Sequence, residues 1–334
     1  MKKIKILNWN AAGAKFLRDK EKDRREFKKE LNRHLQRLLE DQKPDFIVLQ
    51  EVAQYDNDSK REDLIERPKG YFYKASIAID SERQSHPMRW QAVREKGEWP
   101  PTSYLAQGYG ILWRQDISHC SIWDFDNPKT GPEIQMEEVH LDTGLYTGDR
   151  DTEPRLAVVA HFVFHDDQTP IDVFVVNLHL ITLKGEREGK LEKDDLGARI
   201  RMAQIDTVLH GVVSRYNDWR SRTPAASPRV PPVWVIAGDF NCTPDSHEIL
   251  KLQRMNFLDL NPNKGKGGKT SGRGSEPTIT VDYIFAGPKY VAFDPYIVEH
   301  EIKGNPAPLD HIAISDHFPL IAKLPISIPA RVKG

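Results

Sequence analysis

The segment SDHFPL, residues 315–320, places a carboxylate next to an imidazole directly before an apolar run. Asp316 and His317 could be ordinary turn residues that open a last strand. They could also do chemistry, because a carboxylate that pairs with a histidine fixes the tautomer of the ring and raises its basicity. The second interpretation requires partner residues elsewhere in the chain.

Polar residues follow apolar, strand-like runs at several other places. Each case alone is weak evidence, since carboxylates and amides are common turn residues. Their repetition predicts that these strand ends meet in one site. The residues are Asn10, Gln50, Glu51, Asn177, His179, Asp239, Asn241, Asp282, Asp316 and His317.

Such a site would be rich in oxygen ligands, which Mg²⁺ and Mn²⁺ prefer. Zinc fits less well, because neither Cys120 nor Cys242 belongs to a CxxC pair and the sequence has no HExxH motif. A metal that neutralises phosphate oxygens, a carboxylate that activates water and an imidazole that stabilises charge together serve phosphoester hydrolysis. The sequence therefore predicts a Mg²⁺- or Mn²⁺-dependent hydrolase.

The composition is that of a globular protein without a dominant charge. Lys and Arg number 48 against 49 Asp and Glu, a formal net charge of -1. No overall positive field attracts nucleic acid, so an anionic substrate needs a local patch or a cation. The start, MKKIKILNWN, lacks the apolar core of a secretion signal, no membrane-spanning run occurs, and two cysteines suit a reducing compartment. We expect a cytoplasmic protein without a membrane span.

Hydrophobic periodicity predicts many strands and few helices. Amphipathic helices are expected at about 18–40 and 196–219, and polar loops at 53–70, 80–108 and 126–153. Such a pattern favours sheet packed on sheet with helices outside. Strands are predicted at 4–10, 45–52, 71–79, 109–114, 155–164, 171–180 and 233–240, followed by TVDYIFAG and HFPLIAKL.

Three surface features have two interpretations each. The charged face of the first helix is either solvated or a nucleic-acid contact. Trp90, Trp99 and Tyr104, which alternate with basic residues, either stack on bases or pack beneath a long loop. The run KGKGGKTSGRG at 264–274 is either a basic loop near a phosphate or a plain surface loop.

Seven motifs in order resemble the endonuclease/exonuclease/phosphatase superfamily, which includes deoxyribonuclease I-like and exonuclease III-like enzymes. The resemblance runs from residue 4 to about residue 323 and implies one domain over 1–334. It also implies a four-layered α/β sandwich, with two packed, mostly antiparallel sheets flanked by helices and a site at one edge. The motifs are LNWNAAG, VLQEV, PRLAVVAHF, VVNLHL, GDFNCTPDS, VDYIF and SDHFPL.

The resemblance also implies a role for each matching residue. Glu51 would be the main metal ligand, assisted by Asn10 and Asp316. Asp239 would position or activate the attacking water, Asn241 would contact the phosphate, and His317 would pair with Asp282. His179 would face the phosphate from the other half of the site, and Arg155 and Asn177 would bind the substrate.

Some of these roles have alternatives. Arg155 could pair with Asp151 or Glu153, and His179 could be a satisfied histidine at a strand end. In deoxyribonuclease I-like members a glutamate orients the first histidine, whereas the nearest candidate here is Gln107. A neutral amide favours protonated imidazole less than a carboxylate does, so His179 is as well suited to act as a neutral donor as a general acid.

The motif GDFNCTPDS followed by VDYIF is most similar to the deadenylase and bacterial nuclease branch. We therefore predict a nuclease that hydrolyses DNA or RNA. The alternative is a phosphatase or phosphodiesterase that acts on a small-molecule or lipid phosphate ester. A binding module without turnover is a third hypothesis, disfavoured by the presence of both histidines and the carboxylates. No protein partner is indicated, and a monomer is expected.

Overall fold

The computed structural model describes residues 2–11, 21–57, 60–80, 105–121, 127–141, 155–166, 169–181, 195–222, 232–260, 270, 279–287, 315, 317 and 319–326. Asp316, the aromatic residues at 90, 99 and 104, and all of 264–274 except Thr270 lie outside the described residues. The prediction that 1–334 forms a single domain stays a prediction.

The first sheet and the helix that covers it consist of β1 (Lys2–Asn10), α1 (Glu21–Gln42), β2 (Phe46–Asn57), β3 (Lys60–Asp63), β4 (Tyr71–Asp80), β5 (Leu105–Arg114) and β13 (Leu320–Ile326). The strand order is β13-β1-β2-β5-β4, with β3 paired to β2. Strands β1 and β2 run parallel, whereas the other pairs are antiparallel. Helix α1 lies between β1 and β2 in the chain, as a parallel connection requires.

The second sheet and its helices consist of β6 (Ser118–Cys120), β7 (Met136–Leu141), β8 (Arg155–Asp166), β9 (Thr169–His179), α2 (Asp195–Val208), a π-helical segment (Leu209–Ser214), α3 (Arg215–Arg222), β10 (Val233–Asp239), α4 (His247–Arg254), β11 (Leu258–Asp259) and β12 (Asp282–Gly287). The strand order is β11-β12-β10-β9-β8-β6, with β7 paired to β8. Strands β9 and β10 form the parallel pair, and helical segments connect them.

Three apolar clusters separate four layers. One lies between the sheets and contains residues of both, such as Phe46 of β2 stacked on Phe162 of β8. A second lies between the first sheet and α1, which contributes Phe27 and Leu31. A third lies between the second sheet and the helices after β9, where Tyr216 contacts aromatic residues of the sheet. The predicted four-layered α/β sandwich is confirmed.

Most predicted elements are present, with shifted ends. Of the helix expected at about 18–40, the described part runs from Glu21 to Gln42, and the helix expected at 196–219 covers 195–222 with a π-helical insertion. The loop prediction was wrong in places, because β2 extends to Asn57, β3 follows it, and β5 begins at Leu105. The short strands β6, β7 and β11 and helix α4 were also missed. Short or polar elements carry little periodicity, so tertiary pairing decides them.

Within the described ranges, none of the helices combines the length and apolar character that crossing a bilayer requires.

His34 of α1 makes the fold sensitive to acid. Its side chain is buried against Trp9 of β1, with ring centroids 5.5 Å apart. Burial, together with the neighbouring positive charges of Arg37 and Arg33, lowers the pKa of His34 to about 4. Between pH 6.5 and 4 the unfolded state therefore binds a proton that the folded state does not, so stability is lost as the pH falls.

We expect His34→Leu to remove this loss. From pH 6.5 down to about 4, the free energy of unfolding of the natural protein should fall more steeply than that of the variant, by up to about 1.4 kcal/mol per pH unit. Urea unfolding at a series of pH values measures both slopes. Equal slopes in the two proteins would contradict the assignment.

Candidate active site

The parallel strand pairs bring polar residues to one edge of the sandwich. Asn10 of β1 lies opposite Gln50 of β2 in the first sheet. In the second sheet Asp239 of β10 lies opposite His179 of β9 and, on its other side, opposite Asp282 of β12. Because parallel neighbours end at the same edge, residues that are far apart in the sequence meet there.

Along these strands the inward faces change from apolar to polar toward that edge. Residues two apart share a face of a strand. In β1, Ile6 belongs to the core between the sheets, and Asn8 and Asn10 continue its face. On four other strands an apolar core residue is likewise followed, on the same face and toward the site, by one or two polar residues. These residues are Val48 and Gln50 in β2, Val175, Asn177 and His179 in β9, Ala237 and Asp239 in β10, and Ile284 and Asp282 in β12.

Glu51 enters the site through a distortion of β2. In a regular strand it would point to the face opposite that of Gln50. The pairing of β2 with β5 shifts register between Gln50 and Val52, and Glu51 has a φ of 52°. Such a β-bulge redirects a side chain, and positive φ at a non-glycine residue costs about 1–3 kcal/mol. The result is that Asn10 Nδ2 donates to Glu51 Oε1 over 3.2 Å.

The end of β10 is held by close backbone contacts. Gly238 has a φ of 155°, and a Cβ at this position would lie 1.8 Å from the carbonyl oxygen of Leu178. Only glycine therefore fits directly before Asp239. Beyond it, Asn241 adopts a φ of 49°, its Nδ2 donates to Leu180 O over 3.0 Å, and its backbone N–H donates to Asp239 Oδ1 over 2.9 Å.

The carboxyl group of Asp239 lies at the centre of the site. Its Oδ2 accepts a hydrogen bond from Asn10 Nδ2 at 3.1 Å, and it lies 3.4 Å from His179 Nε2 and 3.6 Å from His317 Nε2. Burial raises the pKa of Asp239 to about 7; the charge of His317 opposes this and that of Asp282 adds to it. A nearby positive charge would therefore favour the carboxylate form.

The predicted pair of His317 and Asp282 is present. His317 Nδ1 donates to Asp282 Oδ2 over 2.8 Å, so Nε2 faces Asp239. Sequence reasoning missed residues that hold this pair. Ser315 Oγ donates to Asn10 O over 2.8 Å and accepts from His317 N–H over 3.0 Å. The Ser-Asp-His order is itself a signal for Ser315, because a hydroxyl two residues earlier can cap the turn.

Two further contacts had no signal in the sequence. Trp9 Nε1 donates to His317 O over 3.0 Å, which ties His317 to β1. Thr270 Oγ1 accepts from Asp282 N–H over 3.0 Å and from Val281 N–H over 3.1 Å. Trp9 lies in the LNWNAAG motif and Thr270 in the basic run at 264–274, but neither pattern predicts these contacts. The two residues hold His317 and the beginning of β12 in place.

His179 has an unexpected partner. Arg155 Nη1 lies 3.0 Å from His179 Nδ1. A guanidinium group only donates, so Nδ1 must be the acceptor and the ring proton is on Nε2, which faces Asp239. The backbone of Gln107, the candidate partner from the sequence, lies in β5, and its side chain is outside the described part of the chain.

Asn177 lies in a layer of buried amides rather than at the surface of the site. Its Nδ2 donates to Leu49 O and to Gly110 O, both over 2.9 Å, and its Oδ1 accepts from Gln50 Nε2 over 2.7 Å. Both of its donor hydrogens are used inside the protein, and its side chain has no exposed surface. These contacts favour a structural role over the substrate contact that the sequence predicts.

The remaining site residues can be tested against the requirements of a divalent cation. Asn10 and Glu51, two predicted ligands, are in contact, whereas Asp316 lies outside the described residues. Ligand atoms of Asp239, Asp282 and His317 also lie within 4.8 Å of one another. Asp282 Oδ1 is buried, and no described residue donates to it. Carboxylates and amides in this number match the preference of Mg²⁺ and Mn²⁺, so the residues fit such an ion.

Arg155→Met tests the tautomer of His179. In the natural protein we expect the ring proton on Nε2 and an unprotonated Nδ1, because Arg155 cannot accept a hydrogen bond. In the variant, Nδ1 should be able to take up a proton, since the guanidinium charge and its hydrogen bond are gone. The ¹⁵N chemical shifts of the two ring nitrogens report both states. A proton on Nδ1 of the natural protein would contradict the assignment.

Comparisons with known proteins place this site in a family. Residues 7–317 match the Endonuclease/Exonuclease/phosphatase family. No protein in a search of curated sequences matches the chain. Solved structures with the same fold include an endonuclease/exonuclease/phosphatase from Beutenbergia cavernae, with a TM-score of 0.54, 16% identity and coverage of 97% of this chain and 71% of that chain.

Another is D. rerio TDP2 complexed with single strand DNA product, with a TM-score of 0.51, 14% identity and coverage of 97% of this chain and 99% of that chain. A third is a mannosyl-6-phosphatase from Bacteroides thetaiotaomicron, with a TM-score of 0.51, 13% identity and coverage of 96% of this chain and 98% of that chain. At these identities the structures establish a shared fold. With the family match over nearly the whole chain, the protein belongs to the endonuclease/exonuclease/phosphatase family, whose members are hydrolases that act on phosphoester bonds.

Proposed function

We propose that this protein is a Mg²⁺- or Mn²⁺-dependent phosphodiesterase, and specifically a nuclease that cleaves DNA or RNA by attack of water. The observation that carries the proposal is the buried carboxyl group of Asp239, which lies between Asn10, His179 and His317. A buried carboxyl with raised proton affinity is suited to accept a proton from water.

The neighbouring residues supply the other requirements of the reaction. Asn241 is held beside Asp239, and although one amide hydrogen is donated to Leu180 O, the second can be directed to a phosphate oxygen. His179 presents its Nε2 proton, and His317 is stabilised in a charged form by the carboxylate of Asp282. Donors that are fixed in advance stabilise the charge that develops on phosphoryl oxygens. Arg155 adds a positive charge on the same side.

The predicted metal ligands are Glu51, Asn10 and Asp316. A cation held by them would neutralise phosphate oxygens and lower the pKa of a coordinated water. Asp282 Oδ1 is buried and accepts from no residue in the described part of the chain, and this atom and the density of carboxylates support the presence of a cation near these residues.

The choice of nucleic acid as substrate is supported by the motif GDFNCTPDS followed by VDYIF. The structure of D. rerio TDP2, which has the same fold, contains single strand DNA product. The alternative is a phosphatase or phosphodiesterase for a small-molecule or lipid phosphate ester, and the mannosyl-6-phosphatase of the same fold supports it. We further propose that the protein acts in the cytoplasm as a monomer.

Asp239→Asn should abolish hydrolysis without unfolding the protein. An amide cannot accept the proton from water, and loss of a general base of this kind costs about 10²–10⁴-fold in rate. The assay uses single-stranded, duplex and abasic DNA, RNA and small phosphate esters, with Mg²⁺, Mn²⁺ or EDTA. We expect cation-dependent cleavage of a polynucleotide by the natural protein only.

Asp172→Asn is the matched control. Asp172 is also buried in the second sheet and also pairs with a histidine, His161, with 2.9 Å between Oδ1 and Nε2. This control should retain activity, because Asp172 lies seven residues before His179 on β9 and its partner His161 lies on β8, away from the site. Release of phosphate from small esters with polynucleotides intact would replace the nuclease proposal by the alternative, and activity that EDTA does not affect would contradict cation dependence.

A further inference from the structure

Asn8, Gln50 and Asn177 form a hydrogen-bonded amide layer between the sheets. All three side chains are completely buried. Gln50 Nε2 donates to Asn8 Oδ1 over 2.9 Å and to Asn177 Oδ1 over 2.7 Å. The layer lies between the apolar core and the site, because Asn10, Glu51 and His179 follow its members by one or two residues.

The amide layer crosses from one sheet to the other in both directions. Asn8 of β1 donates to Gly238 O of β10 over 3.0 Å and to Tyr283 O of β12 over 3.4 Å. In return, Asn177 of β9 donates to backbone carbonyls of β2 and β5 in the first sheet. The acceptors of Asn8 directly precede Asp239 or directly follow Asp282 in the sequence.

We propose that the amide layer sets the position of one sheet relative to the other and thereby the geometry of the active site. Asn8, Gln50 and Asn177 are accordingly positioning residues for the reaction under "Proposed function", on which this inference rests. The distance that they control is the one between Asn10 in the first sheet and Asp239 in the second. Because Asn10 also donates to Glu51, the same distance affects the position of Glu51 relative to Asp239.

The physical reason is the difference between apolar and polar contacts. Apolar side chains attract one another without direction, so the core between the sheets tolerates small sliding movements. Hydrogen bonds depend on distance and angle, and breaking a buried one leaves an unsatisfied polar group. A sliding movement would break several such bonds of the amide layer together. The amide layer therefore resists sliding of one sheet along the other, the movement that would change the distances between site residues of the two sheets.

Asn8→Ala is the variant that tests the proposal, since Asn8 has no exposed surface through which it could contact a substrate directly. We expect kcat to fall by up to about 10²-fold, the effect of a misplacement of about 1 Å, with little change in KM. Gln50→Met is the second variant, for the case that Asn8→Ala does not fold. Crystal structures of the natural protein and the variant give the Asn10 Nδ2 to Asp239 Oδ2 distance, which should exceed 3.1 Å in the variant.

Asn32→Ala is the matched control. Asn32 of α1 also uses its amide to bridge elements, donating to Leu64 O over 2.8 Å and accepting from Glu66 N–H over 2.8 Å, but outside the space between the sheets. It should lose stability without losing kcat. The inference fails if the Asn10–Asp239 distance is unchanged in the variant or if Asn32→Ala loses as much activity. A natural protein without phosphoesterase activity would refute the proposed function alone, because the crystallographic distance still tests the amide layer.

Discussion

The burial of the Asp239 carboxyl group is the constraint on which the rest of the site depends. A buried carboxylate is costly unless donors or positive charges surround it. Here the surrounding groups come from different elements. Asn10 of the first sheet and the Asn241 backbone after β10 donate hydrogen bonds, and the rings of His179 on β9 and of His317 lie 3.4 and 3.6 Å away. No single strand could supply them, so the site exists only when the two sheets pack at the observed register.

Local distortions complete what regular strands cannot provide. A regular β2 would direct Gln50 and Glu51 to opposite faces, and the bulge with its positive φ brings Glu51 to Asn10 while Gln50 stays in the amide layer. At the end of β10, glycine permits the approach to β9, and Asn241 turns the chain in a left-handed conformation. Strain of this kind persists only where surrounding contacts enforce it. Of the four described non-glycine residues with positive φ, two, Glu51 and Asn241, lie at this site.

The layers of the fold and the residues that meet at their edge could be predicted from the sequence. Both follow from apolar strands whose last residues are polar. The sequence was insufficient for contacts that depend on register between sheets. Asn177 has the same sequence signal as His179, yet one side chain bonds inside the amide layer and the other reaches Asp239. Asn8 lies in an apolar strand without any separate signal, and Arg155 could be assigned to His179 only after β8 and β9 were paired.

The two histidines are placed in opposite electrostatic surroundings, and this determines how they can divide the chemistry. His317 lies against the carboxylates of Asp282 and Asp239, which stabilise a positively charged ring. His179 accepts a hydrogen bond from a guanidinium group, which requires a neutral ring at Nδ1 and disfavours a second proton. Two similar groups whose surroundings favour different protonation states can have different roles in a reaction. The charged imidazole is the candidate general acid, and the neutral imidazole is the candidate hydrogen-bond donor. In this protein a proton for the leaving oxygen would therefore come from the side of His317, while His179 would hold a phosphoryl oxygen through Nε2–H.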